Sequence, residues 1–416
     1  MNQSSFPKHP IRLSFLVLVT LPFLLAACGG KKEGKPKAEP KKKAEVQVDT
    51  ALRHRLDDFA HRRRVNGKFA FYVYDLTANK RVYGYNEKQS VPSTSCLKLL
   101  TGVAGLHLLG TDYLYRTSIY TRGTMKADTL KGDVVFRAGL DPQLNGPDLS
   151  MFPKALRRKG IKKIDGHLVL NLVISEPVKS EQHWYPWDLS FSRYGVLYKG
   201  EKRIRKELLA AFRGQGFHLR DSQVVRGPLL TTDHCVFRYY RGIEKVIARM
   251  WKNSSNTQAT SLLYTIGHRV DPKGSPTAAG VQYLRTFLRD SLGQKEKNLV
   301  IHDGCGLCTY NRLSPKALVA VLHFGYDHRD IYGMLMRNLS ISGVDGTLRR
   351  EMAGPKTRGK VHAKTGTLSH PYGISSLAGY CQGSNGHDLA FAIMDSEMSV
   401  LDARVLQTKL CEALVK

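Results

Sequence analysis

Ser95 and Lys98 place a hydroxyl and an amine three residues apart, a spacing that on a helix puts both on one face, a turn apart. A serine hydroxyl becomes a nucleophile when a base takes its proton. Lysine serves as that base only when its pKa falls from about 10.4 towards neutrality. Burial, a second cation and the positive end of a helix all push it that way. The spacing alone says little, because Ser5 and Lys8 repeat it near the start of the chain. Two further groups give it company. Ser254, Ser255 and Asn256 supply hydroxyls and a carboxamide, and Lys364, Thr365, Gly366 and Thr367 supply a cation, two hydroxyls and a glycine that lets a substrate backbone approach. The first members of the three groups are 159 and 110 residues apart, so the fold must assemble any common site.

The elements that would position them are legible in outline. Residues 68–76 and 81–85 carry the aromatic and β-branched enrichment of a hairpin around Thr77, Ala78 and Asn79. Leu97, Leu100, Ala104 and Leu108 recur at helical spacing, with hydroxyl residues 93–95 before them and Gly110 as the stop signal. The spacing therefore predicts a helix that begins at the Ser95 hydroxyl. Residues 361–368 read as a strand carrying Lys364, and 375–381 with 388–394 as two strands that can pair antiparallel across residues 382–387.

The chain has 416 residues, 42% of them hydrophobic, with a formal charge of +29. That is enough apolar material for more than one folded unit, and the charge implies anionic surroundings without choosing among them. The beginning narrows the choice. Lys8 and Arg12 precede an uncharged stretch, residues 13–27, that is short for a spanning helix and reads as a signal peptide. It ends in Leu25-Ala26-Ala27-Cys28-Gly29, which resembles the bacterial lipobox, so Cys28 is the expected lipidation site and several acyl chains would anchor the protein. Residues 29–48, with seven Lys, three Glu and two Pro, read as a solvated tether. Export argues against nucleic acid as a partner. Cys96, Cys235, Cys305, Cys308, Cys381 and Cys411 permit up to three disulfides in an oxidising compartment.

Other features have plainer readings. His328-Arg329-Asp330 lacks the glycine-rich loop that nucleotide chemistry needs and reads as a surface turn. The basic run Arg157, Arg158, Lys159, Lys162 and Lys163 reads as a solvated face, and Trp184 and Trp187 as packing residues. Cys305-x-x-Cys308 has no second pair to make a zinc site.

Taken together, the three groups resemble the signature of the penicillin-recognising serine acyltransferases. More specifically, the chain from about residue 50 onward resembles the penicillin-binding protein 4 type D-alanyl-D-alanine carboxypeptidases and endopeptidases. Supporting stretches are Met250-x-Lys252-x-Ser254-x-Asn256-x-x-Ala259 with Leu262-Leu263, Asp303-Gly304-Cys305-Gly306-Leu307, Gly343-Val344-Asp345-Gly346-Thr347-Leu348, and Leu130-Lys131-Gly132-Asp133 with Gly139-Leu140-Asp141-Pro142. The resemblance implies an α/β (α+β) transpeptidase-like domain, as in serine β-lactamases, carrying an inserted, mainly β subdomain. The expected organisation is a signal peptide (1–27), lipidated cysteine and tether (28–48), transpeptidase-like domain (49–117 and 241–416) and insertion (118–240). That insertion is shorter than the family's usual one.

The resemblance also assigns roles. Ser95 is the nucleophile and Lys98 its base. Ser254 relays a proton to the departing amine, and Asn256 holds the substrate amide and Lys98. Lys364, with Thr365, Gly366 and Thr367, receives the terminal carboxylate of a peptidoglycan stem peptide, and the N–H groups of Ser95 and Thr367 form the oxyanion hole. β-Lactams are the implied covalent inhibitors. Neither a metal nor an organic cofactor is implied. The implied location is the cell envelope, lipid-anchored; the sequence leaves inner and outer membrane open, although Gly29 lacks the aspartate that commonly retains such proteins at the inner one, which favours the periplasmic face of the outer membrane. Pro92-Ser93-Thr94-Ser95 holds one residue more than the family spacing and offers three hydroxyls, among which Lys98 selects Ser95. Cys305 and Cys308 stand where the family has serines. The alternative is a catalytically silent peptidoglycan-binding lipoprotein of the same fold.

Overall fold

The computed structural model describes residues 46–64, 67–179, 184, 194–368 and 373–415. Ser5, Lys8, Cys28, the tether to residue 45 and Trp187 lie outside them. The chain begins with α1 (Thr50–His61), β1 (Lys68–Asp75), β2 (Lys80–Tyr85), β3 (Val91–Pro92) and α2 (Leu97–Leu109). A second group follows: β4 (Leu114–Lys126), β5 (Thr129–Arg137), α3 (Gly146–Leu149), α4 (Met151–Arg158), β6 (Lys163–Asp165), β7 (Leu168–Asn171), α5 (Glu201–Arg213), β8 (Val224–Arg226) and β9 (His234–Gly242). The remainder is α6 (Ile243–Lys252), α7 (Asn256–Val270), α8 (Pro276–Thr286), β10 (Arg312–Leu313), α9 (Pro315–Asp327), α10 (Arg329–Asn338), β11 (Ser340–Ile341), β12 (Val361–Leu368), β13 (Ile374–Gln382), β14 (Asp388–Ser396) and α11 (Val400–Leu414).

The first and last groups share one six-stranded sheet in the order β11-β12-β13-β14-β1-β2. The first and last groups are therefore zipped together, β1 against β14 over eight residue pairs from Lys68↔Ser396 to Asp75↔Leu389. Burial on both faces shows in the alternation of β14. Leu389, Phe391 and Ile393 enter a core with α1 and α11, and Ala390, Ala392 and Met394 enter a core with α2, α7 and α9. Helix α2 is buried from Leu97 to Leu106 without a polar face, as befits a helix enclosed on all sides. Trp251 on α6 reaches into this layer and donates from its indole N–H to the Lys98 carbonyl at 2.8 Å.

The second sheet, order β8-β7-β5-β4-β9 with β6 against β5, lies between these two groups. Its first and last strands pair from Leu114↔Gly242 to Thr121↔His234, so the chain departs and returns at adjacent points. The sheet system thus runs from 114 to 242, beside the 118–240 read from sequence, and includes helices α3 to α5. Among the described residues the insertion holds one sheet. Buried Asp141, beyond β5, accepts from Arg241 Nε at 2.9 Å, which ties the insertion's loop to its returning strand. Arg157 of the basic run donates to the Gln215 carbonyl at 2.6 Å and lies 4.4 Å over the Phe217 ring. The His328-Arg329-Asp330 triplet starts α10 rather than making a turn of its own.

Candidate active site

Residues 94–96 form a single 3-10 turn leading into α2. Thr94 holds a φ of +49°, a left-handed conformation that a β-branched residue adopts only when its surroundings impose it. Its hydroxyl lies 2.5 Å from Ser376 Oγ on β13, and Ser93 is buried without a partner for its hydroxyl. Of the three consecutive hydroxyls, only that of Ser95 meets Lys98, at 2.8 Å. Lys98 Nζ also donates to Asn256 Oδ1 at 2.7 Å and to the Cys305 carbonyl at 2.6 Å. Two fixed acceptors engage two N–H groups of the amine, so in its neutral form the lone pair points at the third neighbour, Ser95. Full burial pushes the Lys98 pKa down, against a smaller upward pull from the Cys305 and Asp303 side.

Asn256 opens α7, and Ser255 caps that helix by accepting from the Gln258 N–H at 3.4 Å. Ser254 just before it has φ +56°, a second strained non-glycine residue beside the chemistry. Its hydroxyl accepts from Lys364 Nζ at 2.8 Å. On β12, Val361 and Ala363 face α11's core. Strand alternation therefore turns Lys364 and Gly366 towards α2, and Thr365 and Thr367 towards α11. Lys364 is fully buried, and desolvation, helped by the nearby Lys98 charge, pulls its pKa down to about 7. Gly366 has no room for a side chain, since a Cβ there would sit 1.7 Å from Thr94 Oγ1.

The site is completed by residues the motif reading left without roles. Buried Asp303 accepts from the N–H groups of Cys305 (3.0 Å), Gly306 (2.6 Å) and Cys308 (2.7 Å), from Asn311 Nδ2 (3.0 Å) and from Trp184 Nε1 (2.9 Å). It folds this loop so that the Cys305 carbonyl is presented to Lys98. A backbone atom does the binding, so cysteine can stand where the resemblance has serine. Cys96, Cys235, Cys381 and Cys411 are thiols outside any disulfide, and the bridges permitted by their number do not form at these four. Thr347 joins the far wall, accepting from Thr365 Oγ1 at 2.8 Å, and Asp345 before it holds Lys252 at 2.5 Å.

Ser95, Ser254, Thr347, Thr365, Gly366 and Thr367 line one cleft of about 330 Å³, whose other wall comes from Leu348, Glu351 and Met352 and from Ser375, Arg404, Gln407 and Thr408. The α11 residues belong to no motif, and nothing in the sequence marked them. A larger groove of about 530 Å³ between α1 and α11 contains none of the motif side chains. Among the described residues no cluster of three or more His, Cys, Asp or Glu could hold a metal ion.

The fold has counterparts among known proteins. The fold is similar to that of penicillin binding protein 4 (dacB) from Haemophilus influenzae, with a TM-score of 0.71 at 18% identity over 87% of this chain and 98% of that one. It is also similar to a predatory peptidoglycan endopeptidase from Bdellovibrio bacteriovorus, with a TM-score of 0.56 at 14% identity over 81% and 90% of the two chains. Both have been solved with β-lactams, the first in a complex and the second acylated by penicillin G. In sequence the chain is 22% identical to the D-alanyl-D-alanine carboxypeptidase DacB of Haemophilus influenzae, over 81% of this chain and 87% of that protein. With residues 52–194 and 204–414 matching its family model, the chain belongs to the D-Ala-D-Ala carboxypeptidase 3 (S13) family.

Proposed function

We propose that Ser95 is the nucleophile of a serine-type D-Ala-D-Ala carboxypeptidase and D,D-endopeptidase acting on peptidoglycan stem peptides. The observation that carries it is the contact of the buried Lys98 amine with Ser95 Oγ at 2.8 Å, with the amine's other donors fixed by Asn256 and Cys305. Neutral Lys98 takes the Ser95 proton as the oxygen attacks the D-alanyl carbonyl. The resulting oxyanion is received by the Ser95 and Thr367 N–H groups, each such donor contributing about 2.7–4 kcal/mol. The leaving amine is protonated through Ser254, which Lys364 holds at 2.8 Å. Lys364 as a cation, with Thr365 and Thr367, receives the terminal carboxylate, and water then releases the acyl group. Trimming a stem and cutting a cross-link present the same carbonyl to the same serine, so one constellation serves both. β-Lactams enter as substrates that acylate and stay, as the relatives' β-lactam complexes support.

The silent-binder reading is not favoured, because Ser95, Lys98, Ser254, Asn256, Lys364 and Thr365 all keep hydrogen-bond partners within the site. Cys28 carries the lipid in this reading, and the tether places the enzyme on the periplasmic face of the outer membrane.

Mass spectrometry of muropeptides incubated with the protein tests the activity. Wild type should remove one D-alanine from pentapeptides or convert cross-linked dimers to monomers. Ser95→Ala should lose roughly 10⁴-fold or more of that rate. Turnover that survives in Ser95→Ala overturns the assignment.

A further inference from the structure

Thr367, Ser375 and Asp395 stand directly opposite one another on β12, β13 and β14, and Phe69 on β1 ends the row. Opposed residues on neighbouring strands share a face, here the face beneath α11. Asp395 is therefore two strand spacings, roughly 10 Å, behind the strand that receives substrate. Gln407 of α11 lies over the row. Its Nε2 donates to Asp395 Oδ2 at 2.8 Å and to Ser375 Oγ at 2.9 Å, and Ser375 Oγ donates to the Gly366 carbonyl at 3.4 Å. Ser375, Gln407, Gly366 and Thr367 all border the cleft with Ser95. Asp395 lies beneath them with no exposure, and its Oδ1 has no hydrogen-bond partner.

A buried carboxyl with one bare oxygen is expensive to ionise. The charged groups around it do little to relieve that cost. Arg64, beyond α1, spends its donors on the Phe59, Ala60 and Arg62 carbonyls and lies over the Phe59 and Phe69 rings. Arg404 on α11 is paired with Glu351 at 3.0 Å. Burial raises the Asp395 pKa to about 7, against weaker downward pulls from Gln407 and Arg64.

We infer that Asp395 is a positioning residue for the carboxylate-receiving end of the cleft. Its neutral form holds Gln407 and Ser375 against the β12 strand, and its ionised form sets a negative charge on the face where the substrate carboxylate must settle. This rests on the acyl-transfer reading above. Ionisation should then raise KM for carboxylate-bearing substrates and leave kcat nearly alone.

Asp395→Asn keeps an acceptor for Gln407 and removes the charge. The measurement is kcat/KM for a D-alanyl-D-alanine peptide at pH 6 and pH 8, in wild type and variant, with KM and kcat separated. Lys364 titrates in both proteins, so the difference between the two profiles, rather than either alone, reports Asp395. The ratio of the pH 8 to the pH 6 value should be about tenfold higher in Asp395→Asn, one ionisation followed for one pH unit above its midpoint, with the difference in KM. Asp395→Thr, neutral and suited to a strand, carries the same expectation if the first variant folds poorly. Profiles that stay parallel, even with a uniformly lower rate, overturn the inference and leave the acyl-transfer reading intact. A wild type inactive at every pH overturns both.

Discussion

In the proposed reaction, the chemistry at the level of single residues depends on two buried lysines in opposite protonation states. Lys98 must be neutral to accept a proton, and burial lowers its pKa. Lys364 must be a cation to receive a carboxylate, yet burial and Lys98 bring it down to about 7. Charge on Lys98 disfavours charge on Lys364, so a neutral Lys98 helps Lys364 keep its proton. The sign of the pH dependence follows. Acidification protonates the base and slows acylation, whereas alkalinisation through about 7 discharges Lys364 and weakens carboxylate recognition. Penicillin acylation should therefore follow a bell in pH. Lys364→Arg tests the alkaline side, because a guanidinium stays charged. That variant should be slower throughout, since its planar group does not fit an ammonium site, but its rate should fall less between pH 7 and 9 than wild type. An equal fall in both proteins would take Lys364 out of the alkaline limb.

The elements show why three separated motifs converge. Strand β12 faces α2, and the loop after α8 is folded over their junction by Asp303. Gly306 is the tightest point of that loop. Its φ is +83°, and a Cβ there would lie 1.8 Å from the Thr94 carbonyl oxygen. Gly306→Ala should cost about 2–4 kcal/mol in unfolding free energy, combining a left-handed backbone penalty with overpacking. It should also slow acylation, because the same shift moves the Cys305 carbonyl away from Lys98. Denaturant melts and penicillin labelling check the two effects, and an unchanged labelling rate in a destabilised protein would separate the loop from the site. How much of this was legible divides along the same lines. The helix after Ser95, the Lys364 strand and the last hairpin could be read because period and turn residues are local signals. Asp303's part could not, since it works through backbone N–H groups of its own loop. Arg404 and Gln407 sit in an amphipathic C-terminal helix whose pattern records burial, and nothing in that pattern says which cleft a polar side chain borders.

At the scale of the whole molecule, the basic charge and the beginning of the chain bear on where the enzyme works. The catalytic body closes on itself by pairing β1 with β14, and the residues assigned to the reaction all follow α1 in the sequence. Residues 29–48 hold seven lysines and two prolines, and at about 3.1 Å per residue in an extended conformation they would reach roughly 60 Å from a lipidated Cys28. With Cys28 lipidated as proposed, that length would let the enzyme search a layer of wall polymer from the membrane, and the chain's +29 charge would favour residence beside carboxylate-bearing peptides in a salt-sensitive way. Anchoring and turnover should then separate cleanly. Cys28→Ser should move the protein from the membrane fraction to the soluble one, while the purified variant takes up penicillin at the wild-type rate within about twofold, because no residue assigned to the reaction is changed. In intact cells the same variant should act less on cross-linked wall than its purified activity implies, as release lowers its local concentration at the wall. A Cys28→Ser protein that still sediments with membranes would overturn the anchor. One that leaves the membrane and digests wall in cells as fast as before would show that the tether does not confine the search.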